Sequence, residues 1–204
     1  MVLIRAADIS LSIGLLLFLL PILFAIPIII LVSTGAPIIF AQTRVGKNKK
    51  EFIIYKFRSM HHAQSDYIGG SEALIDGNKP AFDDYKRTEK NDLRITKEGK
   101  WLRKLHFDEL PQLWNVLIGD MSLVGPRPDA PVQKLVCDEF RWNKRHQVRP
   151  GITGLSQITP EVYHSNDERI NCDLIWVEKI SVSLYFLILF QTFTSVLFRK
   201  TQNY

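Results

Sequence analysis

The chain has 204 residues, with 26 Lys and Arg against 21 Asp and Glu and a formal net charge of +5. That length holds one compact domain plus an appendage, and the positive balance points to an anionic partner: phosphate, nucleotide or acidic lipid head groups. Cys137 and Cys172 form no metal-type pair and no disulfide framework, and His61-His62 lacks zinc-ligand spacing and reads as a solvated loop pair, so disulfide-scaffold and zinc classes are set aside.

From Ile9 to Thr43 there is no charged residue, and Ile13 to Val32 is almost purely apolar. Such a run is about long enough to cross a hydrocarbon core as a helix. It exceeds the apolar region of a signal peptide and lacks a convincing cleavage site. Pro21 interrupts it and Pro27 follows; each removes a backbone donor and clashes with the preceding turn, which predicts a kink. Arg5 precedes the run, and Arg44, Lys47, Lys49 and Lys50 follow it. Positive charge belongs on the cytoplasmic side, so a helix that enters, bends at Pro21 and returns keeps both basic ends there. One kinked span that exports only Arg5 is the alternative.

Ile38 to Phe40 and Phe52 to Tyr55 flank the polar turn Gly46-Lys47-Asn48-Lys49, the pattern of a β-hairpin. Its lysines form a solvated face or rest on anionic lipid. The polar stretch from Met60 to Asp92 reads as a long excursion with little core. Thr96 to Leu105 reads as a short helix. Pro111 rules out its continuation, and a new helix starting near Asp108 leaves Pro111 in the first turn, where proline is tolerated. Val132 to Asn143 reads as a further helix, Val148-Arg149-Pro150-Gly151 as a turn, and Asp167 to Glu178 as a helix. The last apolar stretch, Ile180 to Phe198, is interrupted by Ser181, Ser183, Gln191, Thr192, Thr194 and Ser195. It reads as an amphipathic helix at the interface, closed by Arg199 and Lys200 near the head groups; a second span is the alternative.

The chemistry gathers between Trp101 and Pro128. Asp108 and Glu109 are adjacent, Arg103 lies just before them, and Pro126-Arg127-Pro128 follows. A carboxylate among guanidiniums suits phosphate transfer: the cations neutralise an anionic substrate, and the carboxylate attacks phosphorus or holds a divalent metal. At a helix N-cap, Asp108 would accept backbone N–H groups, and the helix dipole would favour its ionised form. Neighbouring helical residues point about 100° apart, so Asp108 and Glu109 do not face each other as a glycosidase pair does, and two different jobs fit better than one shared proton. Taken alone, the acid pair is also a common capping pattern. Prolines on either side of Arg127 fix its backbone and suit bidentate phosphate contact, and Arg149-Pro150 repeats the device more weakly.

The run FDELPQLWNVLIGDMSLVGPRP and the later VRPGITGLSQ, with QTRVGKN, YKFRSM and the opening Arg5-Ala-Ala-Asp8, resemble the bacterial sugar transferase family, the monotopic phosphoglycosyl transferases. The likeness covers nearly the whole chain apart from 61–92. It implies an α+β, mostly helical fold: a re-entrant membrane helix over 1–36, then a cytoplasmic-face catalytic domain over 37–204 with a short β-hairpin and interfacial amphipathic helices. It implies that Asp108 attacks the β-phosphate of a UDP-sugar, that UMP leaves, and that a polyprenyl phosphate, undecaprenyl phosphate in particular, takes up the phosphosugar from the aspartyl enzyme. Glu109 matches the second acid of the pair. Mg²⁺ would bind at Asp108 and the diphosphate. Arg103, Arg127 and Arg149 match phosphate- and nucleotide-facing arginines; Lys56, Pro126 and Pro128 lie in the matching substrate-binding motifs, and Pro21 marks the membrane bend.

The implied setting is the bacterial inner (cytoplasmic) membrane, with membrane lipid as a partner, the site facing the cytoplasm and no nucleic-acid role. Oligomeric state stays open, a homodimer among the options. The chain departs from the family where Leu20 replaces a Ser before Pro21, and where Ile158 to Tyr163 replaces a Gly-Arg-Asn type motif, which leaves the sugar open. Leu184-Tyr185-Phe186 replaces a more polar, often Asp-containing stretch. Two rival readings are direct attack by the lipid phosphate, with the carboxylates only holding Mg²⁺, and a non-catalytic module that binds anionic lipid.

Overall fold

The computed structural model describes residues 1–61, 92–159 and 166–198. Most of the predicted excursion, the stretch from Pro160 to Tyr163, and Arg199 and Lys200 lie outside the described residues.

The apolar N-terminal run forms two helices, α1 (Val2–Phe18) and α2 (Leu20–Thr34), bent by 63° at Leu19. Pro21 sits in the first turn of α2, where its missing N–H breaks no helical bond, so the predicted kink takes the form of a break just ahead of it. Pro27 is accommodated inside α2. No single helix among the described residues is long and apolar enough to cross a membrane, but this bent pair meets that test together. Phe18, Phe24, Ile28 and Val32 are exposed, whereas Ile26 and Ile30 are buried with Phe57 and Leu102.

The hairpin pairs β1 (Ile39–Val45) antiparallel with β2 (Glu51–Phe57), Ile39 opposite Phe57 and Val45 opposite Glu51. Phe52 and Ile54 of β2 point into the core, as a period of two requires. The connecting 3₁₀ turn, Lys47–Lys49, is held by Asn48 N–H donating to the His146 carbonyl at 2.6 Å.

Helix α3 (Lys97–Lys104) starts as predicted: the Thr96 hydroxyl accepts the Gly99 N–H at 2.8 Å. A 3₁₀ turn (Phe107–Glu109) and α4 (Gln112–Ile118) follow. The predicted helix starting near Asp108 is therefore two pieces, with Pro111 at the N-cap of the second. Pro111 has no N–H, and bonds three residues apart carry the chain past it: Leu110 N–H to Phe107 and Leu113 N–H to Leu110.

Two three-residue strands went unread in the sequence. β3 (Ser122–Val124) pairs in parallel with β4 (Gly151–Thr153). The predicted helix Val132 to Asn143 is also divided, into a 3₁₀ segment (Pro131–Val136) and α5 (Glu139–Arg145), because the Asp138 carboxylate caps the N–H groups of Phe140 and Arg141. A one-turn helix α6 (Leu155–Ile158), then α7 (Asn166–Glu178) and α8 (Val182–Phe198), complete the described fold. α8 buries Tyr185 and Ile188 and exposes Phe186, Phe190, Phe193 and Val196. The core joins β2, β3, α4, α7 and α8 through Ile54, Leu113, Val116, Met121, Leu123, Trp176 and Ile188. Each such side chain contributes about 1.5–3 kcal/mol on burial.

Candidate active site

The acid pair sits in the 3₁₀ turn, entered through His106 in the left-handed region (φ 56°). That conformation is uncommon for a non-glycine residue and turns the chain sharply out of α3. Trp101 packs edge-on against Phe107, with ring centroids 5.6 Å apart, and braces the turn against α3. On the other side, Asn115 of α4, fully buried, clips onto β2: its amide nitrogen donates to the Ile53 carbonyl at 2.7 Å and its amide oxygen accepts the Tyr55 N–H at 3.2 Å. The next residue on β2 is Lys56, and its Nζ lies 2.6 Å from Glu109 Oε1.

Asp108 is 7% exposed and makes no hydrogen bond or ion pair with the described residues. The expectation that it caps a helix is corrected: neither the 3₁₀ turn nor α4 has a side-chain cap, since Pro111 separates Asp108 from the N-terminus of α4. The expectation that the dipole favours its ionised form gives way as well. Burial raises the Asp108 pKa; Lys56, Arg103 and His106 pull it down, and Glu109 pushes it up. For Glu109 burial also pushes upward, but Lys56 and Arg127 outweigh it and hold the carboxyl at about 2. The pKa values of two adjacent carboxyls are thus driven apart, one held ionised in a pair and one without an ion pair among the described residues and easier to protonate.

Arg103 comes from the last turn of α3; its Nε donates to the Ser59 hydroxyl at 2.8 Å, and its charge acts on Asp108 and Glu109. Arg127 is exposed, but its backbone is firmly held. Four successive carbonyls each accept a bond: Pro126 from Gly151 N–H at 2.8 Å, Arg127 from Arg145 Nη2 at 2.8 Å, Pro128 from Arg44 Nη1 at 3.4 Å, and Asp129 from Val45 N–H at 2.9 Å. Pro126 and Pro128 frame this arm. Its close approach to β4 requires glycine: a Cβ on Gly151 would lie 2.1 Å from the Gly125 nitrogen.

Lys56, Arg103, Asp108, Glu109 and Arg127 therefore share one electrostatic cluster. Arg149 is turned elsewhere: its Nε donates to the carbonyl of Gly119, just past the far end of α4, at 2.7 Å. Pro21 lies at the helix break.

Sequence reading missed the residues that seat the arm. Arg145, buried to 3% exposure, pairs with Asp129 and donates from Nε (2.9 Å) and Nη2 (2.7 Å) to Asp173. Asp173 also accepts the Ser156 hydroxyl at 2.6 Å. These groups come from α5, α6, α7 and the arm, so no local pattern joins them. Among the described residues no group of three or more His, Cys, Asp and Glu could hold a metal ion.

A family model described as bacterial sugar transferase matches residues 1–199. The chain is 37% identical to the undecaprenyl-phosphate glucose phosphotransferase of Komagataeibacter xylinus, covering 96% of this chain and 36% of that protein. It is 37% identical to the UDP-N-acetylgalactosamine-undecaprenyl-phosphate N-acetylgalactosaminephosphotransferase of Aeromonas hydrophila, covering 87% of this chain and 39% of that protein. It is 38% identical to the exopolysaccharide production protein PSS of Rhizobium leguminosarum bv. phaseoli, covering 98% and 97%. The chain thus spans under two fifths of the first two relatives and nearly all of the third.

Proposed function

The chain belongs to the bacterial sugar transferase family, and from there we propose that it moves a sugar 1-phosphate from a UDP-sugar to undecaprenyl phosphate, releasing UMP, through a phosphosugar acyl phosphate on Asp108. The observation that carries this reading is the division of the acid pair. Glu109 is held by Lys56, and Asp108 beside it has no such partner among the described residues.

An oxygen of the Asp108 carboxylate attacks the β-phosphorus; the bond from that phosphorus to the bridging oxygen breaks, and UMP leaves with the electron pair. An oxygen of the lipid phosphate then attacks the same phosphorus and returns the carboxylate to Asp108. Splitting the transfer in two lets a soluble nucleotide and a lipid use the site in turn. Arg127, presented on a rigid arm, and Arg103 neutralise the diphosphate. Lys56 holds Glu109 aside and, with Arg103, favours the ionised Asp108 that attack requires.

Asp108 is a hard oxygen donor, and Mg²⁺ often takes only one or two carboxylates, filling its shell from phosphates and water; the residues therefore fit that ion, with Glu109 engaged by Lys56. Mg²⁺ bound there would offset negative charge on the diphosphate. The bent α1–α2 pair and the apolar face of α8 support a reading in which 1–36 is re-entrant, 37–204 lies on the cytoplasmic face of the inner membrane, and the acceptor arrives in the membrane plane.

The test is UMP release with undecaprenyl phosphate across a panel of UDP-sugars, beginning with the glucose and N-acetylgalactosamine that the relatives' names carry. The reading expects release with at least one donor and none from Asp108→Asn. Full turnover in Asp108→Asn would overturn it.

A further inference from the structure

Helix α1 is apolar for most of its length, yet its first half carries Arg5 and Asp8, three residues apart and so on one face. Neither charge is needed to sit in lipid, and a buried carboxylate is costly unless hydrogen-bonded. Asp8 is 2% exposed, and its Oδ1 accepts three bonds: Ser122 hydroxyl at 2.9 Å, Leu123 N–H at 2.9 Å and Tyr185 hydroxyl at 2.8 Å. Arg5 donates from Nη1 to the Val116 carbonyl at 2.6 Å and from Nη2 to the Leu117 carbonyl at 2.9 Å. Those carbonyls close the last turn of α4, where N–H partners four residues on run out and Val116 accepts only the Gly119 N–H from the described backbone, at 3.1 Å.

The connections lead to the chemistry in both directions. α4 is a rigid rod of seven residues with the acid-bearing turn at its other end. β3 begins at Ser122 and runs into the Pro126–Pro128 arm that presents Arg127. Tyr185 brings in α8, a further helix with an exposed apolar face. Its hydroxyl pKa is pushed well above the usual range by burial and by Asp8, which keeps it a donor. Apolar contacts alone would let α1 slide along its neighbours. Directional bonds from both charged residues forbid that.

We propose that Arg5 and Asp8 are positioning residues: one turn of α1 sets the height of the Asp108 turn and the Arg127 arm relative to the membrane segments. This rests on the transfer proposed above and extends it. The UDP-sugar arrives from water and tolerates a change in height. The lipid phosphate is fixed at the bilayer surface and does not. A misplacement of about 1 Å can cost on the order of a hundredfold in rate.

The test uses full-length Asp8→Asn, Asp8→Ala, Arg5→Met, Arg5→Lys and Tyr185→Phe in lipid nanodiscs, with flotation to follow membrane association. For each variant, kcat/KM is measured separately for the UDP-sugar and for the polyprenyl phosphate. Asp8→Ala and Arg5→Met are expected to stay membrane-bound, to keep kcat/KM for the UDP-sugar within about threefold, and to lose about tenfold or more for the polyprenyl phosphate. Arg5→Lys should recover part of that loss. Should Asp8→Ala fail to fold, the same split is read from Asp8→Asn and Tyr185→Phe, in smaller measure. An equal fall in both ratios, or no fall in either, would overturn the positioning role. No UMP from the wild-type protein would overturn the transfer itself, and the positioning role with it.

Discussion

Lys56 Nζ and Glu109 Oε1 stand 2.6 Å apart, and this contact engages one of two adjacent carboxylates. Glu109 is held ionised with its pKa at about 2, while burial raises that of Asp108. Glu109 is paired with a lysine, and Asp108 lies among cations with no ion pair to the described residues.

Asp108→Asn should lose at least roughly a thousandfold in turnover, as expected when a nucleophile is removed. The same substitution should leave thermal stability at pH 7 unchanged or higher. Because its folded pKa is raised, the ionised carboxylate counts against the folded state once pH exceeds the unfolded value, and an amide carries no such cost. UMP assays and thermal melts on one preparation check both halves. A large fall in melting temperature would contradict the electrostatic account.

Lys56→Met removes the strongest cationic influence on Asp108. The carboxyl pKa should rise further, and the acidic limb of kcat/KM for the UDP-sugar should move to higher pH. Activity relative to wild type should therefore be lower at pH 6 than at pH 8. A limb that stays in place would show that Lys56 does not govern the ionisation of Asp108.

Arg127→Lys keeps the charge but loses the planar fork. KM for the UDP-sugar is expected to rise about tenfold to a hundredfold, the cost of one bidentate contact. Steady-state kinetics decide it; an unchanged KM and kcat would remove Arg127 from the substrate site.

Arg145→Met removes the nearest counter-ion of the buried Asp129 and Asp173 and leaves them the longer contacts to Arg169, at 3.7 and 3.9 Å. A loss of about 3–5 kcal/mol in unfolding free energy is expected, as for other broken buried pairs. Because Arg145 also holds the Arg127 carbonyl, KM for the UDP-sugar should rise in whatever fraction still folds. Denaturant melts and kinetics on the folded fraction measure the two effects. A loss below about 1 kcal/mol would contradict the burial argument.

Much of this was readable where the cause is local. Alternating apolar residues marked the hairpin, Thr96 marked the start of α3, and Pro111 marked an interruption beside the acids. The raised pKa of Asp108 was not readable, because its burial goes with the packing of α4 on β2 through Asn115, 60 and 62 residues from its partners Tyr55 and Ile53 on the strand. Nor were β3 and β4, each three residues long and too short to leave a period. Asp8 read only as part of a motif, and Leu184-Tyr185-Phe186 only as a departure from a polar stretch. In the fold, Tyr185 supplies a hydroxyl to Asp8 across 177 positions.

The central claim is the covalent step at Asp108. Wild-type protein mixed with its UDP-sugar and no lipid should release one burst of UMP, equal in amount to active sites. Its mass should rise by one phosphosugar, mapped to Asp108. A preparation that turns over with undecaprenyl phosphate yet shows neither burst nor mass increase would contradict the account.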